Sequence, residues 1–301
     1  MIRLGLCCIF RKEPIKFRIT TATALQKLGR TGQLERLSGI CHENSRNLIR
    51  AVHFIHEHGI GAFRITSPFF PLFTHPEAGY RLEDLPDHKR IEECLEQVKL
   101  YCEIHDIRLS FHPDQFNVLS SPHRKVVENT RRELEYQGYL AEMIGAELIN
   151  LHGGGGYNDK KTSLQRFTTN FHTLSPRVRK RITLENDDTI YTVRDLIPVC
   201  EELNIAFAYD VHHHRCNPDG FGVCEATQLA LETWKRLNRE PYFHLSSPRN
   251  GWLNGTPKPH ADYIDPADFP DCWKELDLTV DVEAKAKELA VLALKKALKM
   301  S

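Results

Sequence analysis

The 301-residue sequence contains no uninterrupted apolar run of about 18 residues, the length that spans a bilayer, so it offers no transmembrane helix. Its opening segment, Met1 to Cys8, is apolar for too short a stretch to act as a signal peptide before Arg11 and Lys12 interrupt it. Net charge is missing as well. Lys plus Arg and Asp plus Glu each number 40, so no global field draws the chain to a polyanion, and any such contact must come from a local patch. The nine cysteines form no Cys-x-x-Cys pair; an odd, scattered set in a chain this long reads as small buried hydrophobes in a reducing compartment. There is no low-complexity segment, sequence repeat or Pro/Ser/Gly-rich linker that would mark a second domain. One domain covering residues 1–301, a cytoplasmic location, no membrane association and no evident protein partner are the expectations.

What is present is an alternation. Eight β-rich runs (Ile2 to Cys8, Ala62 to Thr66, Ile107 to His112, Glu147 to His152, Arg181 to Asn186, Ile205 to Val211, Tyr242 to Ser246, Leu278 to Glu283) are separated by longer helical patterns. Leu48, Ile49, Val52 and Ile55, then Ile91, Leu95, Val98 and Cys102, carry the spacing of a buried helical stripe. Eight βα units predict an α/β fold, a single (β/α)8 TIM barrel, with extended loops at its C-terminal face. Those loops are the irregular stretches Phe10 to Arg36, Pro68 to Leu85 and Ser246 to Asp271.

Histidine is abundant, with 16 residues, and several end apolar runs. The last polar residues of the runs are His112, His152, Glu185, Asp210 with His212 to His214, His244 and Glu283, and His260 follows the seventh run. A lone histidine ending a strand is usually a hydrogen-bonded structural residue. Six strand ends bearing only imidazole or carboxylate, converging on one barrel axis, instead predict two or three divalent ions of the zinc or manganese kind. Bound cations would also hold Glu185, Asp210 and Glu283 together against their mutual repulsion. If the triple histidine is strand, alternation sends His212 and His214 one way and His213 the other, so one of them is the ligand.

Other segments read less sharply. Gly153 to Gly156 lacks a Walker pattern and reads as a turn before it reads as a phosphate cradle. Gln115 and Phe116, just beyond His112, pair an amide with an aromatic ring as base recognition would, although a Phe after a turn is commonly a core plug. Arg11, Lys12, Lys16, Arg18, Lys27 and Arg30 crowd the loop after the first run and form a candidate track for a phosphate backbone.

Taken in order, His112-Pro113-Asp114-Gln115, Leu151-His152-Gly153-Gly154-Gly155, Leu184-Glu185-Asn186-Asp187, Asp210-Val211-His212-His213, His244-Leu245-Ser246-Ser247-Pro248, His260-Ala261-Asp262-Tyr263 and Glu283-Ala284-Lys285 resemble the UV damage endonuclease family over nearly the whole chain. The resemblance implies a metal-dependent DNA repair endonuclease that cuts duplex DNA on the 5′ side of a UV photoproduct. It implies a cluster of two or three divalent ions, manganese first, with zinc or magnesium as alternatives. The ligands it implies are His112, His152, Glu185, Asp210, His213, His244, His260 and Glu283, with Glu185, Glu283 and His244 in the catalytic role. Gln115 and Phe116 fall where the family probes the lesion.

Two positions depart from the family pattern. Tyr242 stands where relatives carry a lysine that helps bridge metals, and Leu6 stands where they carry a tyrosine. Both remain on the substrate-binding side of the expectation, with Tyr242 pointing to the metal pocket and hydrogen-bonding a metal-bound water. Two other classes are open: a sugar isomerase or epimerase on a similar barrel, favoured against by the bulky Phe69-Phe70 and Gln115-Phe116 loops, and a lesion-binding protein that has lost catalysis.

Overall fold

A computed structural model describes residues 1–300. Eight parallel strands form one sheet in the order β6-β5-β4-β3-β2-β1-β8-β7: β1 Ile2–Cys7, β2 Ala62–Ile65, β3 Arg108–Phe111, β4 Leu148–His152, β5 Ile182–Glu185, β6 Ala206–Ala208, β7 Tyr242–Leu245 and β8 Leu278–Val282. Between β6 and β7 the ladder thins to a single parallel bridge, Asp210 to His244, with the His244 N–H donating to the Tyr209 carbonyl at 3.0 Å. The barrel is thus nearly closed, and its seam runs through two of the expected ligands.

The helices, in chain order, are α1 Ala22–Leu25, α2 Arg30–Glu57, α3 His88–Ile104, α4 Arg124–Ile144, α5 Lys160–Phe171, α6 Pro176–Arg179, α7 Val193–Leu203, α8 Val211–Cys216, α9 Val223–Arg236 and α10 Glu288–Ala297. Local chemistry sets their ends. The Asp159 carboxylate caps α5 by accepting from Thr162 N–H, Thr192 and Asp195 form a reciprocal box at the start of α7, and Gly145 takes the left-handed conformation that ends α4. The stripe Leu48, Val52, Ile55 on α2 and Ile91, Leu95, Val98 on α3 is buried, as its spacing requires.

Parallel register decides which strand residues face the barrel axis. Gly5 pairs with Ala62 and Asp281, Cys7 with Arg64, Arg64 with Ser110, Asn150 with Thr183, His152 with Glu185, and His244 with Asp281. These residues line the interior; their neighbours Leu6, Phe63 and Val282, which are in register with one another, pack outward against the helices. Below the strand ends the interior is therefore polar, an arrangement made possible by Gly5. A Cβ there would run into the Asp281 carboxylate. Gly5→Ala is accordingly expected to destabilise the fold by about 1–3 kcal/mol, the usual range for overpacking, read as a lower urea midpoint at an unchanged slope.

Candidate metal centre

Six of the eight expected ligands sit at or near the C-terminal end of a strand, while His213 lies in α8 and His260 in the loop after β7. His152 and Glu185 are the last residues of β4 and β5, His112 and Glu283 immediately follow β3 and β8, His244 lies within β7, and Asp210 follows β6. Glu185 is at the centre and is fully buried. Its Oε2 lies 3.1 Å from His112 Nε2 and 3.2 Å from His244 Nδ1; its Oε1 lies 3.2 Å from His213 Nδ1. Two three-ligand groups result, His112–Glu185–His244 and Glu185–Asp210–His213, each with its donor atoms within 4.8 Å of one another. The carboxylate of Glu185 belongs to both. Glu283 extends the cluster, with Oε1 at 3.4 Å from His244 Nδ1 and Oε2 at 3.7 Å from His260 Nδ1. The His152 ring lies between, its centroid 5.0 Å from His112 and 5.8 Å from His213.

The segment after β6 corrects the strand reading of the triple histidine. β6 ends at Ala208, and Val211–Cys216 is helical because the Asp210 side chain caps it, accepting from His213 N–H at 2.8 Å. Helical spacing, not alternation, then aims His213 at Glu185. His212 turns to the Lys258 carbonyl at 3.2 Å, and His214 bonds the Tyr209 hydroxyl at 2.6 Å and faces Asp219 at 3.3 Å.

The electrostatics are those of a site that holds positive charge. Burial disfavours the charged form of His244, yet Glu185 and Glu283 outweigh it and raise its pKa to about 9. Burial likewise opposes charge on His213, and Asp210 with Glu185 raises it well above the usual imidazole value. For the carboxylates burial favours the neutral acid, but His244 and His152 hold Glu185, and Arg64 and His244 hold Glu283, well below the ordinary range. Burial lowers His152. Several buried donor atoms are left without a directed hydrogen bond: His152 Nδ1, Glu185 Oε1, Asp210 Oδ2 and both nitrogens of His244. Orphaned lone pairs that share one small volume fit divalent ions, whose binding would displace the imidazole protons. His112 is oriented for this, since its Nδ1–H donates to the Pro113 carbonyl at 3.1 Å and leaves Nε2 inward.

Beneath the ligands lies a layer that sequence reasoning missed. Asn150 donates to Glu185 Oε2 and accepts from Thr183 Oγ1 at 2.8 Å. Asn186 exchanges two bonds with the Asp210 backbone, at 2.8 and 3.0 Å. Arg64, buried, reaches Glu283 Oε1 at 2.6 Å and Asp281 Oδ2 at 3.4 Å. Much of this was legible in principle, because Ser110, Asn150, Thr183 and Asp281 each stand two residues before a strand-end ligand and so share its face.

Three expectations are corrected here. Leu6 is fully buried on the helix-facing side of β1, the opposite face from Gly5 and Cys7, and presents nothing to a substrate. Tyr242 does point inward, but one layer too low to meet a ligand or a substrate: its hydroxyl donates to Asp281 Oδ1 at 2.7 Å and lies 2.8 Å from Ser110 Oγ. Phe69 and Phe70 are core residues, stacked at 5.0 Å between centroids, with the Phe70 N–H donating to the Tyr136 hydroxyl. Phe116, by contrast, is no core plug. It is 76% exposed at the tip of a turn in which its N–H donates to Asp114, and with Gln115 it borders a groove of about 1040 Å³ that also includes Lys125, Arg132 and Tyr157.

The glycine run is packing geometry: a Cβ on Gly153 would meet the Tyr191 ring at 2.6 Å, and Gly154 has a φ of 83°. In the basic loop Arg18 is spent on Glu43 and Arg30 on the Gly79 carbonyl, while Arg11, Lys12, Lys16 and Lys27 remain exposed.

The family model described as UV-endonuclease UvdE matches residues 2–301. The chain belongs to that family. Among its relatives is the UV DNA damage endonuclease of Bacillus velezensis, 33% identical over 95% of this chain and 89% of that one; a Bacillus cereus enzyme of the same name is 31% identical over 91% and 86%. The crystal structure of SacUVDE superposes with a TM-score of 0.87 at 27% identity, covering 99% of this chain and 98% of that one. Endonuclease IV from Thermus thermophilus, at 16% identity and a TM-score of 0.61 over 99% and 97%, shares the barrel fold. So does a D-psicose 3-epimerase from Clostridium cellulolyticum, at 12% and 0.56 over 83% and 91%. As a UvdE-family endonuclease, the chain places its ligand-type residues where a TIM barrel builds its active site. No helix of the described residues is long and apolar enough to cross a membrane.

Proposed function

We propose that this chain, acting as one barrel domain over residues 1–301, incises duplex DNA on the 5′ side of UV photoproducts with manganese as its preferred ion. The observation that carries this reading is the shared Glu185, one oxygen turned to each of two ligand groups, in a chain of the UvdE family. Imidazole and carboxylate donors suit manganese or zinc better than magnesium. His112, His152 and His244 would hold ions on one side of Glu185, and Asp210 and His213 on the other, with His260 and Glu283 extending the set. Bound there, the ions supply Lewis-acid stabilisation of charge on a phosphodiester. The chain's own groups do the rest: Asn150 and Arg64 fix the two glutamates, and the partly exposed Glu283 and His260 face the mouth where a phosphate and water arrive. Gln115 and Phe116 stand at the groove as the lesion-probing pair. A cytoplasmic location agrees with nine free thiols.

The epimerase-like neighbours share the fold alone, and an open groove with an exposed Phe116 suits a duplex better than a closed sugar pocket. Nicking and binding measured on one UV-irradiated duplex test the reading: the endonuclease does both, an impaired lesion binder only the second, an epimerase neither. His152→Ala is expected to reduce bound manganese and abolish nicking while the far-UV spectrum stays native. Wild-type nicking in that variant would overturn the ligand assignment.

A further inference from the structure

Next to the metal centre, behind Glu283, a cavity of about 280 Å³ is lined by Arg64, Lys258, His260, Glu283, Lys285 and Lys287 among others. We propose that it is a phosphate subsite, which takes a second backbone phosphate of the strand whose phosphodiester meets the metal centre. The proposal rests on the endonuclease reading and extends it to Lys285 and Lys287, which lie outside the ligand cluster.

Charge is the first argument. Among the described residues Glu283 is the only acid lining the cavity, and Arg64 already pairs with it at 2.6 Å. The Lys258 ammonium is held by the Thr189 hydroxyl at 2.7 Å and lies 3.7 Å from Asp188. Lys285 and Lys287 have no carboxylate within ion-pair distance among the described residues, so the cavity carries two uncommitted cations. A phosphate oxygen is the partner such a wall recognises, and it is present in every nucleotide of the substrate.

Backbone conformation is the second, independent argument. Lys287 has φ 57° and ψ −125°, a region that residues with a Cβ avoid and glycine enters freely. The turn it makes sends the next residue inward: the buried Glu288 carboxylate accepts the N–H groups of Arg11, Lys12 and Glu13 at 2.7, 2.6 and 3.3 Å. That contact pins the basic loop after β1 along the same rim. Glycine would make this turn without strain, so the turn alone does not account for lysine; a demand for its ammonium at the cavity does.

Lys287→Gly separates the two roles, since it relieves the strain and removes the cation. Its thermal midpoint is expected to equal or exceed that of the wild type. With a UV-irradiated oligonucleotide duplex, KM should rise about tenfold for each of Lys287→Gly and Lys285→Ala, with kcat within about twofold and bound manganese unchanged. The slope of log affinity against log salt should shrink by about 0.9 for each cation removed. In the metal-free protein, inorganic phosphate should broaden its phosphorus resonance with the wild type and not with the double variant. Unchanged salt slopes and unchanged phosphate broadening would overturn the subsite. A wild type that fails to nick would instead count against the endonuclease reading, while the salt slope of duplex binding and the phosphate resonance still report on the cavity.

Discussion

Glu185→Gln is expected to lower incision of UV-irradiated duplex by about 10³-fold or more and to reduce bound manganese, while the far-UV spectrum stays native. The magnitude follows from the several kcal/mol of charge stabilisation that bound ions supply, at tenfold in rate per 1.36 kcal/mol. Glutamine keeps the shape of the side chain and an oxygen for Asn150, so the barrel is not cavitated. It removes the charge that both ligand groups share, and the amide nitrogen offers no lone pair to an ion. Metal analysis with single-turnover nicking checks the expectation. A variant with full metal content and wild-type nicking would show that Glu185 bridges nothing.

Arg64→Leu is expected to be the most damaging change to stability, about 3–5 kcal/mol, because it strands Asp281 and Glu283 in the barrel without their buried cation. Urea unfolding of the metal-free protein measures it. Adding Asp281→Asn to Arg64→Leu should recover part of the loss, since one of the stranded charges goes with it and the sites are in contact. Additive losses in the double variant would mean that the Arg64–Asp281 pair contributes nothing. Manganese should also partly rescue Arg64→Leu, as any ion that binds only the folded state stabilises it by mass action.

How much of this was legible before folding differs by residue. Period-two alternation within each β-rich run marks Ser110, Asn150, Thr183 and Tyr242 as companions of His112, His152, Glu185 and His244, and puts Leu6 on the opposite face from Gly5 and Cys7. The same alternation puts Leu6 among the helix-facing residues of β1. For Phe69 and Phe70 the irregular loop after β2 carries no local signal, and nothing in the sequence tells a loop aromatic that tertiary packing buries from one that solvent meets, such as Phe116.

The sequence by itself determined the barrel and set imidazole or carboxylate residues at six of its strand ends, because eight alternations of two periodicities admit few architectures and those residues are fixed locally at the close of each run. Strand alternation alone left the three histidines open and the family resemblance implied His213; the tertiary structure supplies the physical reason, because a single side-chain cap at Asp210 turns the segment after β6 into helix and brings His213 toward Glu185. Only it brought Arg64 on β2 to Asp281 and Glu283, since closing the sheet through β1 and β8 places residues over 200 positions apart within ion-pair distance. Local chemistry chooses the elements; register around a closed sheet chooses the neighbours, and the metal centre is made of neighbours.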